Sequence, residues 1–330
     1  APHLVKPMRF ILPHRRGLRP AWIIRLGLFL YDNIGSRKHL PGSRRMRLLD
    51  SIEGKPLQRQ FAVGFEYSDC WVDDARLVLS NLLDARARGA EICTHTEFLD
   101  AQRGADSWSA QLREPDGTVR NVDARAIVNA GGPWVEDVLQ RCMGEPGKRH
   151  VRLVKGSHII VPRVFSGEHA YLMQHPDGRI GFMIPYLHKY TLIGTTDVAY
   201  EGDPAAVSCS PAEIDYLCEL ANDYLEQAIS PADVVSTYAG VRPLYDDGSA
   251  DASAITRDYV LDLRGRKRKK APLLSVYGGK ITTFRKLAEE ALAKLQPILK
   301  FSAKTWTEHA PLAGGDIRGG FANLMTELHR

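Results

Sequence analysis

Three stretches decide how this 330-residue chain is read: YAGVRPLYDD (238–247), ITRDYVLDL (255–263) and LLSVYGGKITTFRKLAE (273–289). Leu273 to Tyr277 is a short apolar run closed by a glycine pair, which suits a buried strand. Gly278-Gly279 permits a tight turn and close approach of backbone to a ligand. Beyond the turn, Phe284, Leu287, Ala288, Ala291, Leu292 and Leu295 recur at helical spacing, and Pro297 is the expected stop. The unpaired N–H groups of the first turn, Ile281 to Thr283, favour a negative group over the glycine pair. An ordinary hydrated strand–turn–helix corner has the same spacing. A nucleotide P-loop does not, because Ile281 follows Lys280 in place of Ser or Thr, and Leu274 stands where the first glycine belongs. Upstream, Arg242 offers a planar fork to an anion, with Asp246 or Asp247 as the competing ion-pair partner.

Working outward, residues 1 to about 60 are rich in Arg and Pro, and Pro20 to Gly35 (PAWIIRLGLFLYDNIG) reads as an amphipathic helix, either core or interfacial. Residues 66–150 read as α/β. Asp73 caps a helix with Leu79, Leu82 and Leu83 inward, and Gly89 ends it. Glu91 to Thr96 follows as a strand. Trp108–Leu112 and Thr118–Val122 form a hairpin about Pro115-Asp116-Gly117. Ala126 to Asn129 is then a buried strand entering a second glycine turn, Gly131-Gly132-Pro133. From Val151 to Leu263 the pattern is β: His158–Val161, Ile180–Ile184 and Tyr190–Gly194. One helix interrupts it, opened by Ser210-Pro211 with Glu213 as capping-box acid. An antiparallel sheet capping a cofactor domain fits this order.

Composition narrows the classes. At 44% apolar the chain can bury a sizeable core in two domains. No run of 18 uncharged apolar residues spans a membrane, and the opening APHLVKPMRF lacks the apolar core of a secretory signal. Cys70, Cys93, Cys142, Cys209 and Cys218 are scattered without C-x-x-C and read as reduced packing residues of a cytosolic protein. Eleven histidines form no H-x-H or H-x-x-x-H cluster, so no metal is expected. Arg264 to Lys270 (RGRKRKK) holds six cations against a net charge of +5, so the rest of the chain is close to neutral. That run reads as a solvated hairpin tip or as a contact for an anionic membrane surface. Nucleic acid is not expected, since no aromatic platform accompanies the cluster.

The three opening stretches are joined by PMRFILPH (7–14), FEYSDCWVDDARLVL (65–79), VNAGGPWV (128–135), KGSHIIVPR (155–163) and IGTTDVAYEGDP (193–204). In this order the segments resemble the FAD-dependent glycerol-3-phosphate dehydrogenases of the aerobic, respiratory type, over most of the chain to about Leu295. The resemblance implies a fold of class α/β plus α+β. A partial FAD-binding domain, glutathione-reductase-like or D-amino-acid-oxidase-like, would carry an antiparallel β-sheet substrate (cap) domain. Residues 1–60 would be a cap-associated helical segment, 61–150 part of the FAD-binding domain and 151–263 the cap. Residues 271–300 would return to the FAD-binding domain, and 301–330 would start a C-terminal domain. The family's G-x-G-x-x-G turn is absent from this sequence, which looks like a truncated chain.

The resemblance also implies roles. His158, whose imidazole titrates near neutrality, would be the catalytic base; as a strand residue between Ser157 and Ile159 it reads equally as a core histidine bonded to backbone. Arg242 and Lys280 would complete the catalytic set. FAD would lie against Ala130, Gly131, Gly132 and Trp134, and against Gly278, Gly279, Lys280, Ile281, Thr282 and Thr283. Thr195-Thr196-Asp197 would lend hydroxyls to the pocket or form a simple turn, and Arg257-Asp258 a structural pair. Glycerol 3-phosphate would be oxidised to dihydroxyacetone phosphate, with electrons passed to quinone. The partners implied are an anionic membrane surface and a second copy as a homodimer, and the location cytoplasmic, peripheral on the inner face of the cytoplasmic membrane. Two alternatives stay open. One is an amino-acid or hydroxy-acid oxidase whose Arg242 holds a carboxylate. The other is a catalytically incomplete fragment that binds anionic surfaces through its basic loop.

Overall fold

The computed structural model describes residues 1–15, 17, 20–34, 40–144, 151–176, 178–246, 258–265, 270–302, 304–317 and 319–328. The first half runs β1 (Val5–Pro13), α1 (Ala21–Asn33), β2 (Arg44–Arg47), β3 (Val63–Val72), α2 (Asp74–Ala87), β4 (Glu97–Arg103), β5 (Trp108–Arg113), β6 (Val119–Ala124), β7 (Ile127–Asn129) and α3 (Val135–Met143). The second runs β8 (Val151–Pro162), β9 (Ala170–Gln174), β10 (Ile180–Tyr186), β11 (Tyr190–Gly194), β12 (Val198–Ala199), α4 (Pro211–Asn222), β13 (Ser236–Tyr245), β14 (Val260–Arg264), β15 (Leu273–Tyr277), α5 (Phe284–Leu299) and α6 (Gly320–Leu328).

Nine of the described strands form one large sheet. β8 carries β13 along one edge and β11 and β12 along the other, and the sheet continues through β10, β9, β1 and β3 to β2. Strand alternation gives this sheet two distinct faces. Ile159, Val161, Ile193, Met173 and Met183 are fully buried on one face against Leu217, Leu220, Ala221 and Tyr224 of the α4 region. The residues that alternate with them, His158 on β8 and its register partners Tyr238 and Gly194, lie on the other face. Two smaller sheets complete the described strands: β4-β5-β6, and β14-β15-β7 with β15 parallel to β7. Trp108 joins them, fully buried and donating from Nε1 to the Pro272 carbonyl at 3.0 Å. Helix α5 covers β15 through Ala291 and Leu295 packed on Leu274.

Several expectations hold, and several need correction. β15 is buried along its whole length, and the hairpin about residues 115–117 is present as β5 and β6. Asp73 caps α2 through the Arg76 N–H, and Gly89 follows the helix at φ +95°. However, the inward residue of α2 is Leu77, while Leu79, Leu82 and Leu83 face outward. Residues 91–96 are not a strand; His95 takes φ +56°, and pairing begins at Glu97. β7 is only partly buried, with Val128 49% exposed on the edge of its sheet. Pro297 lies inside α5, which continues to Leu299. A boundary at residue 60 would divide the large sheet, because β1 and β3 pair antiparallel from Val5↔Val72 to Pro13↔Gly64. The N-terminal segment therefore contributes two strands, β1 and β2, as well as helix α1, and β3 lies between those strands in the large sheet.

Helix α1 is the largest surprise. It buries no residue, so it is not a core helix. Trp22 is 68% exposed and Leu30 54%, with Leu26 and Phe29 similarly open. Polar contacts tie it down: Arg25 donates to Ser43 Oγ at 2.8 Å, Tyr31 to the Ser68 carbonyl at 3.1 Å, and Asp32 accepts from the Ser43 N–H and hydroxyl. Of the cysteines, Cys142 and Cys218 are packing residues, whereas Cys70 and Cys93 are exposed. Most of the basic run, 266–269, lies outside the described residues, as do Gly35, Asp247 and Arg257. Among the described residues no helix is long and apolar enough to cross a membrane.

Candidate active site

The site is built on the face of β8 that turns away from the α4 core. His158 stacks on Tyr238 with ring centroids 4.8 Å apart and planes 9° from parallel. Gly194, its partner on the other edge, lets the imidazole lie directly over backbone. A Cβ at Gly194 would come within 2.1 Å of His158 Cδ2. Burial, and then the nearby Arg242 guanidinium, push the His158 pKa down to about 4, so the ring is neutral at physiological pH. Its Nδ1 is buried and has no hydrogen-bond partner among the described residues. A core histidine bonded to backbone, the bland reading of this position, does not match that geometry.

Four residues along β13 from Tyr238, Arg242 reaches back over Gly156 of β8, where a Cβ would sit 2.9 Å from its Nη2. Its fork is held by two side chains of one short segment. Nη1 pairs with Asp197 Oδ1, and Nη2 donates to Thr195 Oγ1 at 3.2 Å. The competing partner expected from sequence, Asp246, is not the one that orients it. The Thr195-Thr196-Asp197 segment is thus an arginine clamp, which neither earlier reading of it anticipated.

Both glycine turns approach β13. At the first, Asn129 is buried and staples the turn, accepting from the Gly131 N–H at 3.2 Å and donating from Nδ2 to the Val135 carbonyl at 2.7 Å. Gly132 takes φ +54° with open space where a Cβ would stand, and the 3₁₀ turn Gly132–Trp134 lies against β13. Ala130 and Trp134 are exposed. At the second, Gly278 (φ +68°) and Gly279 (φ +103°) both need the left-handed region. A Cβ at Gly278 would be 3.8 Å from the carbonyl of Pro243, the residue after Arg242. Lys280 is exposed at the start of the turn, its carbonyl accepting from the Thr283 N–H at 3.0 Å and hydroxyl at 3.1 Å. Helix α5 starts only at Phe284, after the 3₁₀ turn Ile281–Thr283, and Ile281 and Thr282 remain exposed.

The structure therefore spreads these groups along β13: His158 opposite Tyr238, Arg242 four residues further on and the Gly278 turn near Pro243, with the 131–134 turn beside the same strand. Sequence reading missed Tyr238, Asn129, Gly156 and Gly194. The glycines carried a signal, since a glycine inside a strand marks close approach of another group. Asn129 carried one too, as an Asx residue leading into a turn. No group of three or more His, Cys, Asp or Glu is placed to hold a metal among the described residues.

A family model described as FAD dependent oxidoreductase matches residues 1–268. A glycerol-3-phosphate dehydrogenase of Pseudomonas aeruginosa is 51% identical over 328 residues, covering 99% of this chain and 63% of its own length. A D-erythritol 1-phosphate dehydrogenase of Brucella abortus is 49% identical, covering all of this chain and 66% of its own. The chain thus spans just under two thirds of these relatives. Among solved structures, the glycerol-3-phosphate dehydrogenase of Bacillus halodurans complexed with FAD superposes with a TM-score of 0.76 at 26% identity. That match covers 99% of this chain and 59% of that one.

Proposed function

The chain belongs to the FAD dependent oxidoreductase family, and on that premise we propose that it carries the substrate-binding and catalytic face of a glycerol-3-phosphate dehydrogenase. One observation supports this most: a neutral histidine whose buried Nδ1 has no hydrogen-bond partner among the described residues shares one sheet face with a clamped arginine, beside two glycine turns that expose backbone. FAD fits the residues present. Gly132 leaves space where any side chain would intrude, and the start of α5 offers N–H groups and a positive helix end above Gly278-Gly279. Gly131, Gly132, Gly278, Gly279 and the 281–283 turn would hold it, and bound FAD would supply the hydride acceptor.

The protein's own groups do the rest. Arg242 binds the phosphate of the substrate through the guanidinium edge that Asp197 and Thr195 leave open, and Lys280 adds a mobile point charge. His158, neutral above a pH of about 4, accepts the hydroxyl proton as hydride leaves the same carbinol carbon and the C=O bond forms. The product is then dihydroxyacetone phosphate, and the electrons go on to quinone. The open apolar face of α1, flanked by exposed Arg44, Arg45 and Arg47 on β2, supports peripheral contact with an anionic inner membrane surface.

A close relative acts on D-erythritol 1-phosphate by name, which keeps a longer polyol phosphate as the second substrate reading. The test is the visible spectrum of the chain with FAD, followed by anaerobic addition of each phosphate. Bleaching by glycerol 3-phosphate at the lower concentration supports the proposal. Bleaching by D-erythritol 1-phosphate alone moves the substrate, and absence of bound flavin refutes catalysis by this chain.

A further inference from the structure

On the opposite face of the sheet from His158, one carboxylate gathers five hydrogen bonds. Glu213, in the first turn of α4 and 7% exposed, accepts at Oε1 from Ser157 Oγ (2.8 Å) and Thr196 Oγ1 (2.9 Å). At Oε2 it accepts from Lys155 Nζ (2.6 Å), the Ser210 N–H (2.9 Å) and Ser210 Oγ (2.8 Å). Of these five, only the bond from the Ser210 N–H belongs to the capping box, whose other bond runs from the Glu213 N–H to Ser210 Oγ. Burial alone would raise this carboxyl, but the donors, Lys155 foremost, bring it down to about 2, so it is charged throughout the working range. A helix cap needs neither the lysine nor the two hydroxyls from other elements.

What those extra bonds hold is informative. Lys155 and Ser157 flank Gly156, the residue over which Arg242 lies. Thr196 sits between Thr195 and Asp197, the two residues that grip Arg242. Thr196 also accepts from the Ser157 N–H at 2.9 Å, and it is 1% exposed. The segment is therefore pinned from behind by its middle residue while its outer two face the arginine.

We propose that Glu213 is a positioning residue for anion binding: through Thr196 and Ser157 it fixes the Thr195–Asp197 clamp, and so sets the direction in which Arg242 presents its open edge to a phosphate. It rests on the reading of Arg242 as the phosphate-binding residue. It predicts that residues with no contact to ligand control affinity for phosphate esters, and that they do so only while Arg242 is present.

The test is a double-mutant cycle read by calorimetry, with glycerol 3-phosphate as the probe on the full chain in the presence of FAD. Thr196→Val removes the hydroxyl with little change of shape, and Glu213→Gln removes the charge. Each is expected to weaken binding by about tenfold, the effect of misorienting one charge-assisted hydrogen bond. In an Arg242→Ala background the same two changes are expected to leave affinity unchanged, whereas a purely structural role would lower it in both backgrounds. Equal losses in both backgrounds, or no loss from Thr196→Val in the parent, would overturn the proposal while leaving the role of Arg242 intact. If Arg242→Ala itself binds as the parent does, the phosphate-binding reading fails, and the proposal falls with it.

Discussion

Gly194→Ala tests the placement of His158 without touching its chemistry. The added Cβ would lie 2.1 Å from Cδ2, 2.6 Å from Cγ and 2.7 Å from Nε2 of the imidazole. Ordinary carbon contacts begin near 3.5 Å, so the ring must recede by about 1.4 Å. Its retreat is blocked by Tyr238, stacked on the far side at 4.8 Å, which would have to swing toward solvent with it. Overpacking of this kind costs about 1–3 kcal/mol of stability. Because Tyr238 is half-exposed, the displacement is taken up at the surface and the fold survives. Catalysis is less forgiving: a misplacement of about 1 Å at a reacting group typically costs about 10²-fold in rate. Stopped-flow bleaching of flavin absorbance by glycerol 3-phosphate, alongside a thermal melt, measures both quantities. The expected variant melts a few degrees lower, still binds flavin and reduces it about 100-fold more slowly. A variant that melts lower yet reduces flavin within about threefold of the parent rate would remove His158 as the base, since a 1.4 Å displacement cannot leave a proton transfer untouched.

Further outcomes follow from the same geometry. The His158 imidazole is expected to stay neutral in NMR spectra down to a pH of about 4. Because its folded pKa lies below the unfolded value of 6.5, this residue weakens the fold as pH falls from 6.5 to about 4, by up to about 3 kcal/mol, and denaturant melts of parent and His158→Asn should diverge over that window. Glu213 has the depressed-carboxylate sign. Its contribution is complete above 4.5 and fades as pH falls toward 2, so Glu213→Gln should flatten the acid-unfolding curve of the parent there. Asn129→Ala leaves the Gly131 N–H and Val135 carbonyl without their partner and should cost about 2 kcal/mol in a melt while weakening flavin in a titration. Trp22→Ser with Phe29→Ser removes two exposed apolar groups of α1 and should reduce co-sedimentation with phosphatidylglycerol vesicles by about tenfold or more, with flavin binding unchanged.

The elements legible in the sequence were those with local causes. Ser210, Pro211 and Glu213 announce a helix start because the capping box is written within four residues, and Gly278-Gly279 announces a turn because no other residue pair enters it as easily. His158, Arg242 and the two glycine turns were legible as residues through family resemblance, though their convergence on β13 was not. What sequence could not supply was register. Nothing near Asp197 says that Arg242 prefers it to Asp246, because that choice depends on β13 and β12 both pairing with β8 across long stretches of chain. The exposed α1 misled for a related reason: an apolar face looks the same in sequence whether or not another element covers it, and among the described residues none buries it.

Register also explains why one glutamate can be both a cap and a determinant of the site. In the short connection between β11 and β12, Thr196 donates to Glu213 while its neighbours Thr195 and Asp197 hold Arg242, so any device that fixes Thr196 from the core side restrains the two residues on the ligand side. The rigidity needed for Arg242 to bind an anion in one direction is then supplied from the dry face, where low dielectric strengthens the Lys155–Glu213 pair and water does not compete. The ligand face can keep its donors free because the carboxylate and its cation are satisfied behind the sheet. That division of labour follows from alternation along β8 and from α4 packing behind it, which puts Ser157, bonded to Glu213, next in sequence to His158 on the other face.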